Sequence, residues 1–147
     1  MMREKKVHKL EVHVAGLCFR EGTVFTLKRA QTRRLYPGLW ECGGGQVWTG
    51  ENFDEAIVRQ FEEETGMIVK TVQPFKTYEI VTLDEQKKIP GLRFLCTLDH
   101  YSNGKGPVIS EEHTEYRWQP VDCLGELEFI PGLEEAIQEG YALYRNL

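Results

Sequence analysis

The most informative segment of the chain is residues 45–67, GQVWTGENFDEAIVRQFEEETGM. A glycine-rich lead-in is followed by a polar stretch in which apolar residues recur at helical spacing. Asn52 is a favourable N-cap residue, Asp54 suits the positive end of a helix dipole, and Gly66 favours a helix C-terminus. These signals predict a helix over 52–65 that begins beside a glycine loop.

The polar face of this predicted helix gathers side-chain oxygens. Gln60, Glu63 and Glu64 are related by i, i+3 and i+4 and therefore share one face, toward which Glu51 can fold back. Neighbouring carboxylates repel each other, and a hard divalent cation such as Mg²⁺ or Mn²⁺ relieves that repulsion because it prefers oxygen ligands. A solvated acidic surface is the alternative that the charges alone favour.

The glycines at 43–45 complement the acidic face. Glycine lets the backbone approach a ligand closely and exposes main-chain carbonyls to a metal or N–H groups to phosphate. A divalent cation held by carboxylates beside such a loop neutralises phosphate charge and acidifies a bound water. The combination predicts a site for diphosphate hydrolysis, with an ordinary turn as the alternative for the glycines.

The spacing of these residues resembles the Nudix box, Gly-x5-Glu-x7-Arg-Glu-U-x-Glu-Glu-x-Gly-U, where U is bulky and apolar. Phe61 and Met67 fill the apolar positions, and the fixed positions that agree are Gly45, Glu51, Arg59, Glu63, Glu64 and Gly66. The lead-in LYPGLWE at 35–41 also resembles MutT-like members. The resemblance implies a single Nudix hydrolase domain over 1–147, with an α/β fold in which a mixed β-sheet is sandwiched between helices.

The resemblance also implies an activity. We expect a metal-dependent hydrolase that cleaves the diphosphate linkage of a nucleoside diphosphate derivative, by default a nucleoside triphosphate or a related nucleotide. Glu63 and Glu64 become the expected ligands of Mg²⁺ or Mn²⁺, together with a carbonyl of the glycine loop at Gly45. Arg59 is expected to orient Glu51 or the acidic cluster, and an exposed ion pair worth under about 1 kcal/mol is its alternative role.

Gln60 departs from the family pattern, which has glutamate at this position. An amide offers one neutral oxygen, carries no charge and cannot accept a proton at neutral pH. We therefore expect Gln60 to be a weak metal ligand or to support a true ligand, and not to be the general base. A Nudix-fold module that binds nucleotide with slow or no turnover is the alternative function.

A second acidic element, SEEH at 110–113, precedes the predicted last strand. It resembles the loop from which many Nudix proteins draw a further acidic residue. Glu112 or Glu111 is therefore expected to bind metal or to deprotonate water. A solvent-exposed loop is the equal alternative, and His113 is expected to be structural.

Substrate recognition is weakly encoded in the sequence. Arg34, Trp48 and Tyr78 are the candidates for substrate binding, because arginine binds phosphate and aromatic rings stack on a base. Packing or surface roles are the alternatives for each of them. Further residues of the same kinds near the box are Lys28, Arg29, Arg33, Tyr36 and Trp40.

Composition and charge limit the partners. The formal net charge of −5 opposes binding to a polynucleotide or an anionic membrane, but it allows a small nucleotide bound through a metal. The widely spaced cysteines with apolar flanks predict buried free thiols in a reducing compartment. With no apolar run of signal-peptide or membrane-spanning length, we expect a cytoplasmic protein, and the sequence leaves a homodimer open.

Periodicity and turn signals predict the other elements. The expected strands cover 7–19, 24–27, 69–72, 78–83, 92–98 and 115–119, with a loop region over 31–50 and a hairpin tip at 84–88. A second helix is predicted over 133–147. The predicted buried stripes of the two helices are Phe53, Ile57 and Phe61, and Leu133, Ile137, Tyr141 and Tyr144.

Overall fold

The computed structural model describes residues 10–84 and 86–147, which form a mixed β-sheet with a helix on each face. The strands are β1 (His13–Arg20), β2 (Thr23–Arg29), β3 (Trp40–Glu41), β4 (Gly43–Gln46), β5 (Met67–Val81), β6 (Lys88–Tyr101) and β7 (His113–Pro120). The helices are α1 (Phe53–Thr65) and α2 (Leu133–Tyr144), and a 3₁₀ segment covers Val121–Glu126. The predicted α/β class, with a mixed sheet between helices, is confirmed.

Strand β1 lies at the centre of the sheet. It runs parallel to β6 and antiparallel to β2 and β4, and the main path of the sheet is β3-β2-β1-β6-β5. Strand β7 pairs with β2, and β5 forms a long hairpin with β6 at the other edge. This pairing lays the glycine strand β4 beside β1, where α1 packs on both.

Alternate residues of β1 serve opposite faces of the sheet. Val14 and Cys18 pack in the core that contains α1, whereas Leu17 and Phe19 pack in the core that contains α2. Successive side chains of a strand point to opposite faces, so one strand anchors both helices. Full burial of a large aliphatic or aromatic side chain stabilises the folded state by about 1.5–3 kcal/mol. These positions are therefore the main source of the free energy that holds the helices against the sheet.

Helix α1 begins and ends where its sequence predicts. The Asn52 side chain accepts a hydrogen bond from the Glu55 backbone N–H, and the Glu55 carboxylate returns a bond to the Asn52 N–H. Gly66 ends the helix in the left-handed conformation, at φ 67°. The predicted stripe is wrong at Phe53, which is 42% exposed, because the buried face of the helix starts one turn later at Ala56.

The Phe61 ring sets how closely α1 approaches the sheet. A Cβ atom added to Gly16 of β1 would lie 2.7 Å from this ring, and one added to Gly43 of β4 would also lie 2.7 Å from it. Protein interiors are close-packed, so the ring occupies the space that side chains at these two positions would need. Helix α1 is therefore seated on the two strands through one aromatic side chain and two glycines.

The predicted strands differ from the observed ones mainly in length. The strands predicted over 69–72 and 78–83 are one strand, β5, because register shifts on both sides of Pro74 let the pairing with β6 continue past it. The first strand, predicted over 7–19, begins at His13, where pairing with β4 and β6 begins. Its first predicted positions, 7–9, lie outside the described residues.

Helix α2 covers the second face of the sheet. Leu133 and Ile137 are fully buried, and the Tyr141 and Tyr144 rings lie 5.5 and 5.2 Å from the Phe19 ring. The helix stops before its predicted end because the last backbone N–H groups bond in tighter i to i+3 turns. Across the described ranges, neither helix has the length and apolar composition needed to cross a bilayer.

The prediction of buried free thiols is confirmed for three of the four cysteines. Cys18, Cys42 and Cys96 are buried, and Cys123 is half-buried in the 3₁₀ segment. Burial raises the pKa of the Cys18 and Cys42 thiols to about 12. The buried thiols are therefore packing residues that stay protonated at neutral pH.

Candidate functional site

Arg59 of α1 lies at the centre of a network of ion pairs and hydrogen bonds that joins the helix to the residues between β4 and α1. Its Nε and Nη2 atoms donate to the two oxygens of Glu51 at 3.0 and 2.6 Å, and Nη2 also donates to the Gln46 carbonyl at 2.8 Å. Glu51 accepts a further bond from the Trp48 N–H at 2.7 Å. The pKa of Glu51 is lowered from its ordinary value. The hydrogen bonds from Arg59 are the main cause, and the bond from the Trp48 N–H adds to it. Arg59 thus fastens the loop after β4 to α1.

Trp48 packs against this network. The guanidinium carbon of Arg59 lies 3.5 Å from the centroid of the Trp48 ring, and Trp48 is 53% exposed. A cation–π contact at an exposed site contributes about 0.5–1 kcal/mol. One face of a ring that the sequence offered for base stacking is therefore already covered by Arg59.

Glu63 and Glu64 face different surfaces of α1. The Glu63 side chain is 51% exposed, and its Oε2 atom lies 3.4 Å from Arg59 Nη1. Glu64 instead borders a cleft of about 820 Å³ that is also lined by the glycines of β4. Consecutive helical residues point about 100° apart, which explains the divergence. Of the three side chains predicted to share one face, Gln60 and Glu64 contact each other, whereas Glu63 contacts Arg59.

The Gln60 amide joins Glu64 to Arg59. In the orientation that satisfies both neighbours, the amide nitrogen donates to Glu64 Oε1 at 3.0 Å and the amide oxygen accepts from Arg59 Nη1 at 3.2 Å. Gln60 is buried, and its amide lies on Gly45, where an added Cβ would come within 2.5 Å of it. Gln60 therefore positions a carboxylate that borders the cleft and is not itself among the residues that line it.

Strand β4 passes directly beside Glu64. Gly44 has φ 153°, and a Cβ atom at this position would overlap the Val14 carbonyl oxygen of β1, so only glycine fits there. The Gly44 backbone lowers the pKa of the Glu64 carboxyl group. The glycine run thus brings backbone close to an acidic side chain of the cleft, and its predicted approach to a metal or phosphate stays a prediction.

Glu64 is the most strongly perturbed acid of the cleft. Burial, followed by the negative charges of Glu41 and Glu112, raises its pKa to about 8, while Arg33 and the Gly44 backbone act in the opposite direction. A buried acid next to further carboxylates keeps its proton unless positive charge arrives. This electrostatic environment therefore favours a bound cation.

The donor chemistry of the cleft fits a hard dication. Glu64, Glu112 and the backbone carbonyls of β4 supply only oxygen, the ligand type that Mg²⁺ and Mn²⁺ prefer, and all border the cleft. Glu112 is engaged with Arg33 at 2.9 Å. Within 10–84 and 86–147, no three His, Cys, Asp or Glu side chains lie close enough in their present positions to hold a metal ion.

Glu41 is a cleft residue that sequence reasoning missed. Arg29 Nη1 donates to both of its oxygens at 2.9 Å, and His113 Nε2 lies 2.7 Å from its Oε2 atom. Arg29 is fixed in turn by a bond from its Nε atom to the Leu35 carbonyl at 2.8 Å. His113 is buried, so the structural role predicted for it agrees with its contacts. No local pattern marks this cluster because three different strands bring it together.

Basic and aromatic side chains complete the cleft. Arg34 and Tyr78, two of the three predicted substrate-binding residues, border it, whereas Trp48 does not. The Tyr78 ring lies over Gly91, in the space that a Cβ at that position would need. The guanidinium carbon of Arg93, which the sequence analysis also missed, lies 4.3 Å from the centroid of the same ring. The cleft therefore combines one acidic group of residues with several cationic and aromatic ones.

Comparison with known proteins relates the chain to a family. A model of the NUDIX domain matches residues 8–140. The protein named nucleoside triphosphatase NudI from Escherichia coli O17:K52:H18 (strain UMN026 / ExPEC) is 28% identical over 117 residues, covering 76% of this chain and 83% of that protein.

Solved structures share the fold. The MutT protein from Methanosarcina mazei Go1 aligns with a TM-score of 0.73 at 23% identity, covering 95% of this chain and 99% of that one. A C. elegans Ap4A hydrolase in a binary complex aligns with a TM-score of 0.75 at 15% identity, covering 94% and 100% of the two chains. Because the domain model spans nearly all of the sequence, the chain belongs to the NUDIX family and is a Nudix hydrolase.

Proposed function

We propose that this Nudix hydrolase cleaves a diphosphate linkage in a nucleoside triphosphate or a related nucleotide, with Mg²⁺ or Mn²⁺ as cofactor. The observation that carries the proposal is Glu64, a partly buried acid with a pKa raised to about 8 in a cleft that it shares with Glu41 and Glu112. Such an acidic group supports phosphate chemistry when a dication supplies the positive charge. The relative named nucleoside triphosphatase supports the nucleotide class.

Glu64, Glu112 and the Gly45 carbonyl are the groups proposed to hold the metal. Glu63 joins them only if it exchanges its 3.4 Å contact with Arg59 for the cleft. Gln60 is proposed to remain a neutral support of Glu64. When bound, a dication neutralises phosphate charge and acidifies water.

The chain's own residues orient the reacting groups. Gln60 fixes the Glu64 carboxyl group through a hydrogen bond of 3.0 Å. The alternative role proposed for Glu112 is that of general base in place of metal ligand: the water oxygen bonds to phosphorus, the bond from phosphorus to the bridging oxygen breaks with its electron pair leaving on that oxygen, and one water proton passes to Glu112. Arg59 is proposed to act as a positioning residue, since it contacts Gln60 but not the cleft.

Arg34 and Tyr78 are the proposed substrate contacts, because both border the cleft. An arginine donates paired hydrogen bonds to phosphate oxygens, and the Tyr78 hydroxyl can donate to or accept from a base or ribose, while its ring packs on Gly91 and Arg93. Trp48 is proposed to brace Arg59 through the 3.5 Å stacking contact. Of the three sequence candidates, two are therefore proposed for substrate binding and one for support.

A second candidate function is a Nudix domain that binds nucleotide with little turnover. Gln60 favours it, because the amide lacks the charge and proton-accepting capacity of the glutamate in the family pattern. The two candidates share the cleft and differ in whether the bound linkage is broken.

A nucleotide panel separates the two candidates. Phosphate and pyrophosphate release is measured for the wild type in Mg²⁺ and in Mn²⁺, in parallel with nucleotide binding by calorimetry. Metal-dependent turnover that falls about 100-fold or more in Glu64→Gln supports hydrolysis. Glu62→Gln, which removes an exposed carboxylate of the same helix, is the matched control and should retain activity. Tight binding without turnover supports the binding domain, and absence of both rejects both candidates.

A further inference from the structure

Arg93 is a buried cation whose side chain is not neutralised by its surroundings. The residue is only 6% exposed, and its Nε atom has no hydrogen-bond partner in the described part of the chain. Arg29 makes the contrast plain, because it borders the same cleft and holds both oxygens of Glu41 at 2.9 Å. Burial of an unpaired guanidinium is unfavourable, so its retention calls for a partner from outside the chain.

The surroundings of Arg93 hold its guanidinium ready for a ligand. Tyr78 supports it, with its ring centroid 4.3 Å from the guanidinium carbon, and Gly91 leaves the space in which that ring lies. Lys76, the β5 neighbour of Arg93, is itself paired with Glu139 at 2.8 and 2.7 Å. The side chain is thus fixed by stacking and not by an acid, and it lines the cleft.

Arg93 also lies within electrostatic reach of the acidic group. Cys42, whose pKa is raised to about 12 mainly by burial, feels the positive charge of Arg93 and the negative charges of Glu41 and Glu64. All four residues border the cleft. Because Glu64 and Arg93 line one cleft, a nucleotide bound there can present its phosphates to one and another part to the other.

We propose that Arg93 recognises the substrate by donating hydrogen bonds to oxygen acceptors outside the cleaved linkage, either carbonyl oxygens of the base or a further phosphate. The proposal rests on the proposed nucleotide function of the cleft. A guanidinium has donors only, in a planar fork that matches two adjacent acceptors. Guanine offers such a pair in O6 and N7, whereas adenine sets an amino donor beside N7. Contact with the base therefore favours oxo-bearing bases over adenine.

Binding without turnover tests the proposal. Dissociation constants are measured in Mg²⁺ for the α,β-methylene analogues of GTP, UTP and ATP, with wild type, Arg93→Met and Arg93→Lys. If Arg93 contacts the base, Arg93→Met weakens the GTP analogue about tenfold or more, the UTP analogue, which offers one carbonyl acceptor at a time, by a smaller factor, and the ATP analogue least. If it contacts a phosphate, all three weaken by a similar factor. Arg93→Lys, which keeps the charge but loses the fork, should fall between wild type and Arg93→Met.

The controls separate this proposal from the proposed function. Lys105→Met removes an exposed positive charge from a loop outside the cleft and should leave all three constants unchanged. Wild-type binding that Arg93→Met does not alter overturns the role of Arg93 alone. If the wild type binds none of the analogues, the nucleotide function fails and this proposal fails with it.

Thermal unfolding of the ligand-free protein gives an independent readout. Arg93→Met removes an unpaired buried charge and should keep or raise Tm. Arg29→Met is the matched comparison, because it removes the guanidinium that forms an ion pair with Glu41 and should therefore lower Tm. A clear loss of Tm in both Arg93→Met and Arg93→Lys would mean that Arg93 is needed for folding, and it would overturn the assignment to substrate.

Discussion

The Gln60 amide donates a hydrogen bond of 3.0 Å to Glu64 Oε1, the carboxylate of α1 that borders the cleft. Glutamate at position 60 would bring a second carboxylate to the same distance and would remove the donor. Gln60 therefore stabilises the metal-free arrangement of Glu64, and it does so with one negative charge fewer than the family pattern provides.

The substitution Gln60→Glu is expected to lower the stability of the metal-free protein and to raise its affinity for metal. Loss of the hydrogen bond to Glu64 and burial of a second acid beside it should lower Tm in EDTA, and the added carboxylate should strengthen Mn²⁺ binding by about tenfold. Differential scanning fluorimetry and calorimetry measure the two effects. Gln60→Met is the control, since it removes the amide without adding charge and should show no gain in Mn²⁺ affinity. Unchanged Mn²⁺ affinity in Gln60→Glu would show that a carboxylate at position 60 does not reach the metal, and an unchanged Tm in EDTA would contradict the supporting role given to the amide.

The ion pair of Glu51 and Arg59 should make stability depend on pH. In the folded protein Arg59 holds the pKa of Glu51 below its ordinary value, so the unfolded chain takes up this proton more readily. The stability from Glu51 is therefore present above the unfolded-state pKa of about 4.3 and is lost as the pH falls below it.

Glu51→Gln should accordingly lower the urea midpoint at pH 7, and its difference from wild type should shrink as the pH falls toward 3.5. Urea titrations at several pH values measure this difference. Glu111→Gln removes an exposed carboxylate and controls for the change in net charge. A Glu51→Gln deficit that stays constant across the series would show that the ion pair with Arg59 is not its origin.

The substitution Gly44→Ala should be far more damaging than alanine at another glycine with positive φ. Its Cβ would overlap the Val14 carbonyl oxygen while φ stays at 153°, and the expected loss is about 3 kcal/mol or more. Gly104→Ala is the matched control, because φ is 71° and nothing lies within 4 Å of the added Cβ. It should cost about 1–2 kcal/mol. Equal losses in chemical unfolding would argue against the tight contact of β4 with β1.

Thiol labelling should reveal one accessible cysteine. Burial raises the pKa of Cys18 and Cys42 to about 12 and that of Cys96 well above its ordinary value, so none of these forms a thiolate at pH 8. Cys123 is half-buried and should react slowly, since its own pKa is also raised. Mass spectrometry should find one label under native conditions and four in guanidinium chloride. A second rapid label in the native protein would contradict the packing.

Local signals account for what the sequence predicts well. Asn52 and Gly66 act on backbone groups within one turn, so the limits of α1 follow from the residues beside them. The contact of Glu41 with His113 joins positions 72 apart through three strands, and no local spacing marks it. Arg93 is harder still to find from the sequence, because its distinguishing feature is a buried Nε atom that has no hydrogen-bond partner among the described residues. The sequence thus predicts the segment that carries the box better than the cleft around it.

Positions 16, 43 and 61 are far apart in the sequence, but the residue at position 61 limits which side chains fit at positions 16 and 43. A larger residue at Gly43 requires a smaller one at position 61, for example Gly43→Ala with Phe61→Leu, and a larger residue at Gly16 must also displace the Cys96 Sγ atom, 2.9 Å from the added Cβ. If α1 were replaced by the helix of a relative, it would therefore pack on the sheet only when the residues at 16 and 43 came from the same relative. In a library of chimeras, crossover points that separate 16 and 43 from 61 should be depleted among folded members.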